Sequence, residues 1–358
     1  MRRPSLLLTL FVGLGPVLLA ACGVAGAPTA DASNEAGNAS TPAKSADPSG
    51  IPAESAGPSG TPHPFAGSEA WIAYQSSRNG GEGVWLVHPD GADDHEVALD
   101  VPGLHLHPDW SPDGSQLVIS SRSDLEVLYV YDVEADTAKI PWDCASPCLG
   151  DDEAVWSPDG ARIAFVRAME PFVDDVPQCA LFVGDVESGS VEQLGETVSC
   201  LDRETFPHWS SDGSRIAYYR GVYDGNTSVS AALYVFDVEM REETKLTEDA
   251  LVAGDSDWSA DDEWIVFSTY PLNDYQCCQV SNLYRIHPDG TGMEQLTAYE
   301  TDEVRATQPR YTPDGASIIF TSVTSGGRVP WLIPADGGDP IELIQFGLYT
   351  HPAWQPGS

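Results

Sequence analysis

The chain has 358 residues, with 17 Lys and Arg against 55 Asp and Glu, for a formal net charge of −38. That balance excludes a nucleic-acid surface or a basic face for anionic membranes, since both depend on clustered cations. Hydrophobic residues make up 42% of the chain, enough for one large domain. After the first 20 residues the apolar runs are too short for a second membrane span.

The acidity reads first as a solvated surface that keeps the protein soluble. A cationic partner, divalent ions or a saline habitat are the sharper alternatives.

Residues 1–21 read as an export signal: Arg2 and Arg3 form a basic start, and Leu6 to Leu19 a short apolar stretch. It runs into Leu19-Ala20-Ala21-Cys22-Gly23, which resembles the bacterial lipoprotein box. The resemblance implies lipidation at Cys22, an extracytoplasmic location and attachment to a cell-envelope membrane by acyl chains alone. An ordinary signal peptide with a chance Cys is the alternative. Residues 22–66 are rich in Ala, Ser, Gly and Pro with almost no large apolar side chains, so they read as a flexible tether.

From Gly67 a unit recurs. Trp110-Ser111-Pro112-Asp113-Gly114 returns as Trp156-Ser157-Pro158-Asp159-Gly160 and Trp209-Ser210-Ser211-Asp212-Gly213. Looser copies begin at Trp258 and Tyr311, and an unfinished one at Trp354. Successive aromatics are 46, 53, 49, 53 and 43 residues apart. The pentapeptide reads as a tight turn, with Ser or Thr opening it and Gly in the left-handed position. Asp262 replaces Gly in the fourth copy, and Asp tolerates the same conformation.

Strands flank each turn. A second strand follows it, as in Leu117 to Ser120 and Ile163 to Val166. A third follows that, as in Leu128 to Tyr131 and Leu233 to Phe236. A short fourth ends in Leu-Thr, as in Lys245-Leu246-Thr247 and Glu294 to Thr297. Asp/Gly-rich turns such as His88-Pro89-Asp90-Gly91 and His287-Pro288-Asp289-Gly290 join third to fourth.

The first unit lacks its own aromatic strand, and Trp354 has no strand after it. Pairing the strand at Trp354 with the one at Ile72 closes a ring and removes two sheet edges. The expected fold is all-β: a six-bladed β-propeller of four-stranded antiparallel blades over residues 67–358, read as a monomer.

These repeats resemble the WD-like repeats of the TolB β-propeller family over roughly residues 67–358. The resemblance implies an extracytoplasmic binding protein. Two features depart from the family. TolB proteins carry a small α/β domain before the propeller, which residues 23–66 could not form, and they are soluble in the periplasm. A role in the Tol–Pal system therefore does not follow.

With the aromatic strand innermost, as the resemblance implies, the pentapeptide turns share one face. The opposite face carries longer loops, at Met169 to Gln178, Arg220 to Ser230 and Thr269 to Ser281, holding Phe172, Tyr223, Tyr270 and Tyr275. Binding of an envelope protein or a small-molecule ligand is expected there. The residue three before each aromatic should lie at the channel mouth: His107, Glu153, Phe206, Asp255, Gln308 and His351. Solvated rim residues, a ligand site, or a divalent metal on His107, Gln308 and His351 all fit this set. Some sugar-acid lyases with similar repeats use His and Gln on a metal. His105 and His208 lie near the same mouth and read as packed or solvated rim residues.

Besides Cys22 there are six cysteines, and an even number in an exported chain favours disulfides. Cys179 precedes a third strand and Cys200 follows the fourth strand of the same blade, which makes them the first choice of pair. Cys144 and Cys148 could bridge locally, leaving Cys277 and Cys278 as a strained vicinal pair. A zinc site on Cys144 and Cys148 is the weaker reading.

No hydrolase elbow, zinc-protease helix, phosphate loop or dinucleotide fingerprint occurs. The chain ends soon after the last repeat, so the hydrolase domain that follows such propellers in prolyl-oligopeptidase-like enzymes is not expected. Three functions stay open: a tethered binding propeller, a metal-dependent carbohydrate-active enzyme of lyase type, and an accessory subunit of an envelope complex. A divalent metal is the one candidate cofactor.

Overall fold

The computed structural model describes residues 68–356, apart from 124, 202–203, 225–226, 270–279, 302–303, 325–326 and 344–349. Residues 1–67, including Cys22, therefore lie outside the described residues, as do Cys277, Cys278, Tyr270 and Tyr275.

The described chain folds into antiparallel ladders of four short strands. The first ladder joins Thr350–Trp354 to Ile72–Ser76, Gly83–Val87 and His95–Glu96. The second is Leu104–Trp110, Gln116–Arg122, Glu126–Asp132 and Thr137–Lys139. The third is Cys148–Trp156, Arg162–Val173, Val176–Asp185 and Val191–Gln193, with Val198–Ser199 also on Val176–Asp185. The fourth is Glu204–Trp209, Arg215–Asp224, Thr227–Asp237 and Glu242–Lys245. The fifth is Ala253–Trp258, Ile265–Thr269, Asn282–Ile286 and Glu294–Gln295. The sixth is Val304–Tyr311, Ser317–Thr324, Gly327–Pro334 and Ile341–Glu342.

The protein is thus an all-β propeller of small antiparallel sheets. The expected six separate sheets need correction. Four ladders are separate four-stranded sheets, whereas the second and third run together as one nine-stranded sheet. A single parallel bridge, Glu126↔Gly150, joins them. Gly150 permits this approach, because an added Cβ would meet Glu126 Cβ at 3.1 Å and its backbone N at 3.2 Å.

The ends of the ring meet. Trp354 pairs with Ile72 and Ala353 with Ala73. Six apolar clusters fill the gaps between successive ladders, including one where Ile319, Leu332 and Leu343 of the sixth pack on Ile72, Tyr74 and Trp85 of the first. Each ladder is therefore apolar on both faces, as a stacked unit requires.

The pentapeptide works as its chemistry suggests. Gly114 sits at φ +70° and donates its N–H to Ser111 O at 2.8 Å. Ser111 Oγ donates to Asp113 Oδ1 at 2.6 Å and accepts from Gln116 N at 2.9 Å. Asp262 takes the glycine's place at φ 58°. In the fourth ladder the hydroxyls of Ser214 and Ser210 draw the Asp212 carboxyl down to about 2. The Leu-Thr endings close their units in the same local way. Leu246 and Leu296 are buried, while Thr247 Oγ1 and Thr297 Oγ1 accept the N–H groups of Leu233 and Leu283, each at 2.9 Å. His88 and His287 stack on Trp71 and Trp264 with ring centroids 3.8 Å apart, a packing role for the His-Pro-Asp-Gly turns.

Two of the three expected long loops are hairpin extensions. Residues 169–178 continue a ladder whose tip is Asp174-Asp175, both left-handed at φ 50° and 64°, matching the twist of the flanking strands. Strand Arg215–Asp224 likewise pairs with Thr227–Asp237, Val222 lying opposite Ser230.

Gly184 faces the Trp142 indole so closely that an added Cβ would overlap the ring. Gly184→Ala is expected to cost about 1–3 kcal/mol by overpacking. Urea unfolding checks this as a lower midpoint at unchanged slope.

Candidate functional site

The six residues three before the aromatics share one backbone feature. His107, Glu153, Phe206, Asp255, Gln308 and His351 have φ of 51°, 54°, 50°, 25°, 56° and 51°. Each sits in a register break of its innermost strand, such as Leu106/Asp109, Asp152/Val155 and Thr307/Arg310. A left-handed bulge at a side chain other than Gly costs about 1–2 kcal/mol. Strain repeated at one level of a ring marks a site under constraint.

Neighbouring ladders offset that cost by satisfying the bulged N–H groups. His107 N donates to Gln75 Oε1 at 3.4 Å, and Phe206 N to Glu153 Oε2 at 3.0 Å. His351 N donates to Gln308 Oε1 at 3.0 Å, and the N–H of Gln308 bonds the Asp255 carboxylate. The sequence-predicted residues thus do come together, but as an interlocked layer. Glu153 is only 3% exposed, and none of the six is an open rim residue.

At this layer His107 and His351 meet edge to face with centroids 4.8 Å apart, and Phe206 stacks on His351 at 5.3 Å. Burial pushes the His107 imidazole down, but Asp152, whose Oδ1 lies 3.2 Å from Nδ1, outweighs it and raises the pKa overall. Burial, then the neighbouring His107 and Arg310, hold His351 well below its ordinary value. Burial lifts Asp255 to about 6.

A second layer, directly before the aromatics, was not anticipated. Its members are Asp109, Val155, His208, Asp257, Arg310 and Ala353. Arg310 reaches across the channel, and its Nη1 donates to His208 Nδ1 at 2.5 Å. Burial and Arg310 keep His208 neutral, its pKa well below the ordinary value. Asp109 Oδ2 accepts Trp156 N at 2.9 Å, and Asp257 Oδ2 accepts Tyr311 N at 2.7 Å. Burial raises Asp109 to about 6 and moves Asp257 in the same direction, with Arg310 opposing both.

This layer floors a cavity of about 210 Å³ walled by Trp110, Trp156, Trp209, Tyr311 and Trp354 and rimmed by the turn residues Pro112, Pro158 and Ser211. Among the described residues, then, the roomy end of the channel lies among the short turns and not on the long-loop face. Between the two layers there is space for about one water, some 10 Å³, bordered by His107, Glu153, His208, Arg310 and His351.

The metal expectation fares unevenly. His107 and His351 converge, but Gln308 Oε1 is committed to two donors, His351 N and Thr321 Oγ1. Its Nε2, a donor, faces His351 Nε2 at 2.9 Å. With Arg310 beside them, these residues do not fit a divalent cation in this arrangement. Among the described residues one group of His, Cys, Asp or Glu has ligand atoms close enough to share an ion: Cys144, Cys148 and Asp151. Its sulfurs are joined as a disulfide, which removes the thiolates zinc needs.

Cys179–Cys200 is the second disulfide. Cys179 lies within the third strand of its ladder and not before it, and Cys148 opens the innermost strand. His105 Nε2 lies 3.2 Å from Val101 O and joins neither layer.

Asp109 also gives a pH test. Its folded pKa of about 6 exceeds its ordinary 3.8, so the folded chain holds the extra proton between those values. Its contribution is destabilising, grows as pH rises from 3.8 to about 6 and is complete above that. Asp109→Asn is expected to stabilise the protein by roughly 1–3 kcal/mol at pH 7 relative to pH 4. Urea midpoints of both forms at the two pH values check it; parallel profiles would contradict it.

No protein-family model matches the chain. An uncharacterized protein of Agrobacterium fabrum is 24% identical over 273 residues, 73% of this chain and 84% of that protein. TolB from Acinetobacter baumannii superposes with a TM-score of 0.60 at 18% identity, covering 80% of this chain and 67% of that one. An oligogalacturonate lyase in complex with manganese gives 0.50 at 16% identity, covering 76% and 72%. At these identities the likeness shows the fold, and the fold is that of the TolB-like β-propellers.

Proposed function

We propose that this protein is a lipid-anchored, extracytoplasmic binding protein whose propeller holds a small ligand or a segment of an envelope protein. The channel cavity carries the reading: about 210 Å³ of space walled by aromatics, with Asp109, His208, Asp257 and Arg310 converging on its floor. Counting the nine-stranded sheet as two blades gives a six-bladed ring. The two disulfides support an oxidising compartment, and the basic, apolar and Cys22 sequence supports the anchor. In this reading the ligand enters from the turns, in place of the long hairpins expected from the sequence. The same reading admits an accessory role in an envelope complex.

Val155 lines the cavity without carrying charge, and Ser211 stands at its rim. Capture of envelope components by the full chain is compared with capture by Val155→Phe and Ser211→Trp. The binding reading expects loss of the same component with both variants. Unchanged capture by two folded variants removes the channel as the site.

A second reading, a metal-dependent carbohydrate-active enzyme, has the convergence of His107 and His351 in its favour but would require Gln308 to give up its present hydrogen bonds. Elemental analysis after dialysis against manganese or calcium tests it, and retention of a stoichiometric ion that His351→Ala abolishes would favour it over binding alone.

A further inference from the structure

The floor of the channel cavity has an unusual balance. Arg310 supplies five N–H donors, and among the described residues its guanidinium has one hydrogen-bond partner, His208 Nδ1. Asp109 and Asp257 attract it electrostatically, yet neither forms an ion pair with it within 4.0 Å. One carboxylate oxygen of each Asp is held by a backbone N–H of the next ladder, Trp156 or Tyr311. Asp257 also takes the Trp258 N–H, and its Oδ1 lies 4.0 Å from His208 Nδ1, while Asp109, Asp257 and Arg310 all line the same space.

A simple anion entering here meets two carboxylates, and a simple cation meets Arg310. A molecule bearing both charges, oriented, meets neither penalty. The space is smaller than the roughly 300–1,000 Å³ usual for drug-sized ligands, which points to one compact molecule. The indoles of Trp110, Trp156, Trp209 and Trp354 offer it an apolar wall.

We propose that the cavity binds a small zwitterion of the α-amino-acid class, its carboxylate on Arg310 and its ammonium on Asp109 and Asp257. This inference rests on the binding reading above and narrows it to a ligand class. Arg310 suits the role because its planar fork matches a carboxylate in two-point contact. The neutral His208 leaves Arg310 as the cation of the floor and holds it in place through Nδ1.

The test uses the full chain at pH 7 with free alanine, leucine and phenylalanine, followed by calorimetry and thermal unfolding. At one hundred times its Kd, the best of them should raise the melting temperature by roughly 5 °C. Its N-acetyl and carboxamide derivatives each lose one charge and should bind at least tenfold more weakly. Arg310→Lys keeps the charge but not the fork, and Asp109→Asn keeps the shape but not the charge. Both should fold by circular dichroism and weaken the amino acid at least tenfold.

Equal binding of the N-acetyl derivative overturns the proposal. So does binding unaffected by both substitutions, or no binding of any of the three amino acids. If the amino acids fail while Val155→Phe still abolishes capture of an envelope component, the zwitterion falls and the binding reading stands. If both fail, both fall.

Discussion

Removal of residues 350–358 is expected to lower the melting temperature by more than about 10 °C, or to leave the chain aggregated. The strand Thr350–Trp354 is the innermost strand of the first ladder, and its partners lie far away in sequence. Gln355 adds a clasp: its N–H donates to Trp71 O at 2.8 Å, its Oε1 accepts from Trp71 N at 3.1 Å, and its Nε2 donates to Gly114 O at 2.8 Å. Trp110 Nε1 donates to Ala353 O at 3.1 Å. At about 1 kcal/mol for each hydrogen bond, plus the burial of Ala353 and Trp354, the loss exceeds about 5 kcal/mol. That is a large part of the roughly 5–15 kcal/mol available to a folded domain. The truncation also bares the edge of Ile72–Ser76, a template for pairing with other chains. A melting temperature within 3 °C of the full chain would show that the ring does not depend on this closure.

Asp151→Ala is the second large effect, at about 3–5 kcal/mol. Arg167 Nε and Nη2 donate to the two oxygens of Asp151 at 2.6 and 2.7 Å, and Trp142 Nε1 donates to Oδ2 at 2.9 Å. The side chains are 8% and 4% exposed, so water cannot replace a missing partner. The guanidinium also lies 5.3 Å from the Phe165 ring centre and 5.2 Å from that of Phe182. Alanine at 151 leaves a buried cation without its counter-charge. The double replacement Asp151→Leu with Arg167→Met should recover much of the loss, because it removes both charges together. Urea unfolding of the two single variants and the double completes the cycle. Equal losses for the single and double variants would mean that the pair acts through shape alone.

The ring was legible because its cause is local and repeated. Each copy of the turn fixes a hairpin, and five copies plus an unfinished sixth leave one way to seat Trp354. The pairing of Cys179 with Cys200 was legible for the same reason, since strand order brings those ends together. The convergence of His107, Gln308 and His351 followed from counting back from the aromatics. The left-handed bulges did not, because no glycine marks them: the conformation is imposed by side-chain acceptors on the neighbouring ladder.

The second layer carried a signal that was passed over. Asp109, Asp257 and Arg310 each stand directly before an aromatic, one strand repeat from the first layer, where an outward residue would be expected to vary freely. Residues 169–178 were read as a loop, with no turn assigned to Asp174-Asp175. In fact two left-handed aspartates make a tight hairpin turn. The pair Asp151 and Arg167 left no trace at all, since its partners are 16 residues apart in a chain full of acids.

The repeated bulge separates two kinds of inheritance. What holds a wedge against its neighbour is written in the aromatic, the turn and the second and third strands. What it shows to the hollow is written in just two residues, and each is tied to the next wedge, as Glu153 is to Phe206 N and Gln308 to His351 N. The faces shown to the hollow are therefore coupled from wedge to wedge, and a change at one asks for an answering change at its neighbour. A new specificity then arises by paired replacements across a seam, while the masonry around them stays as it was.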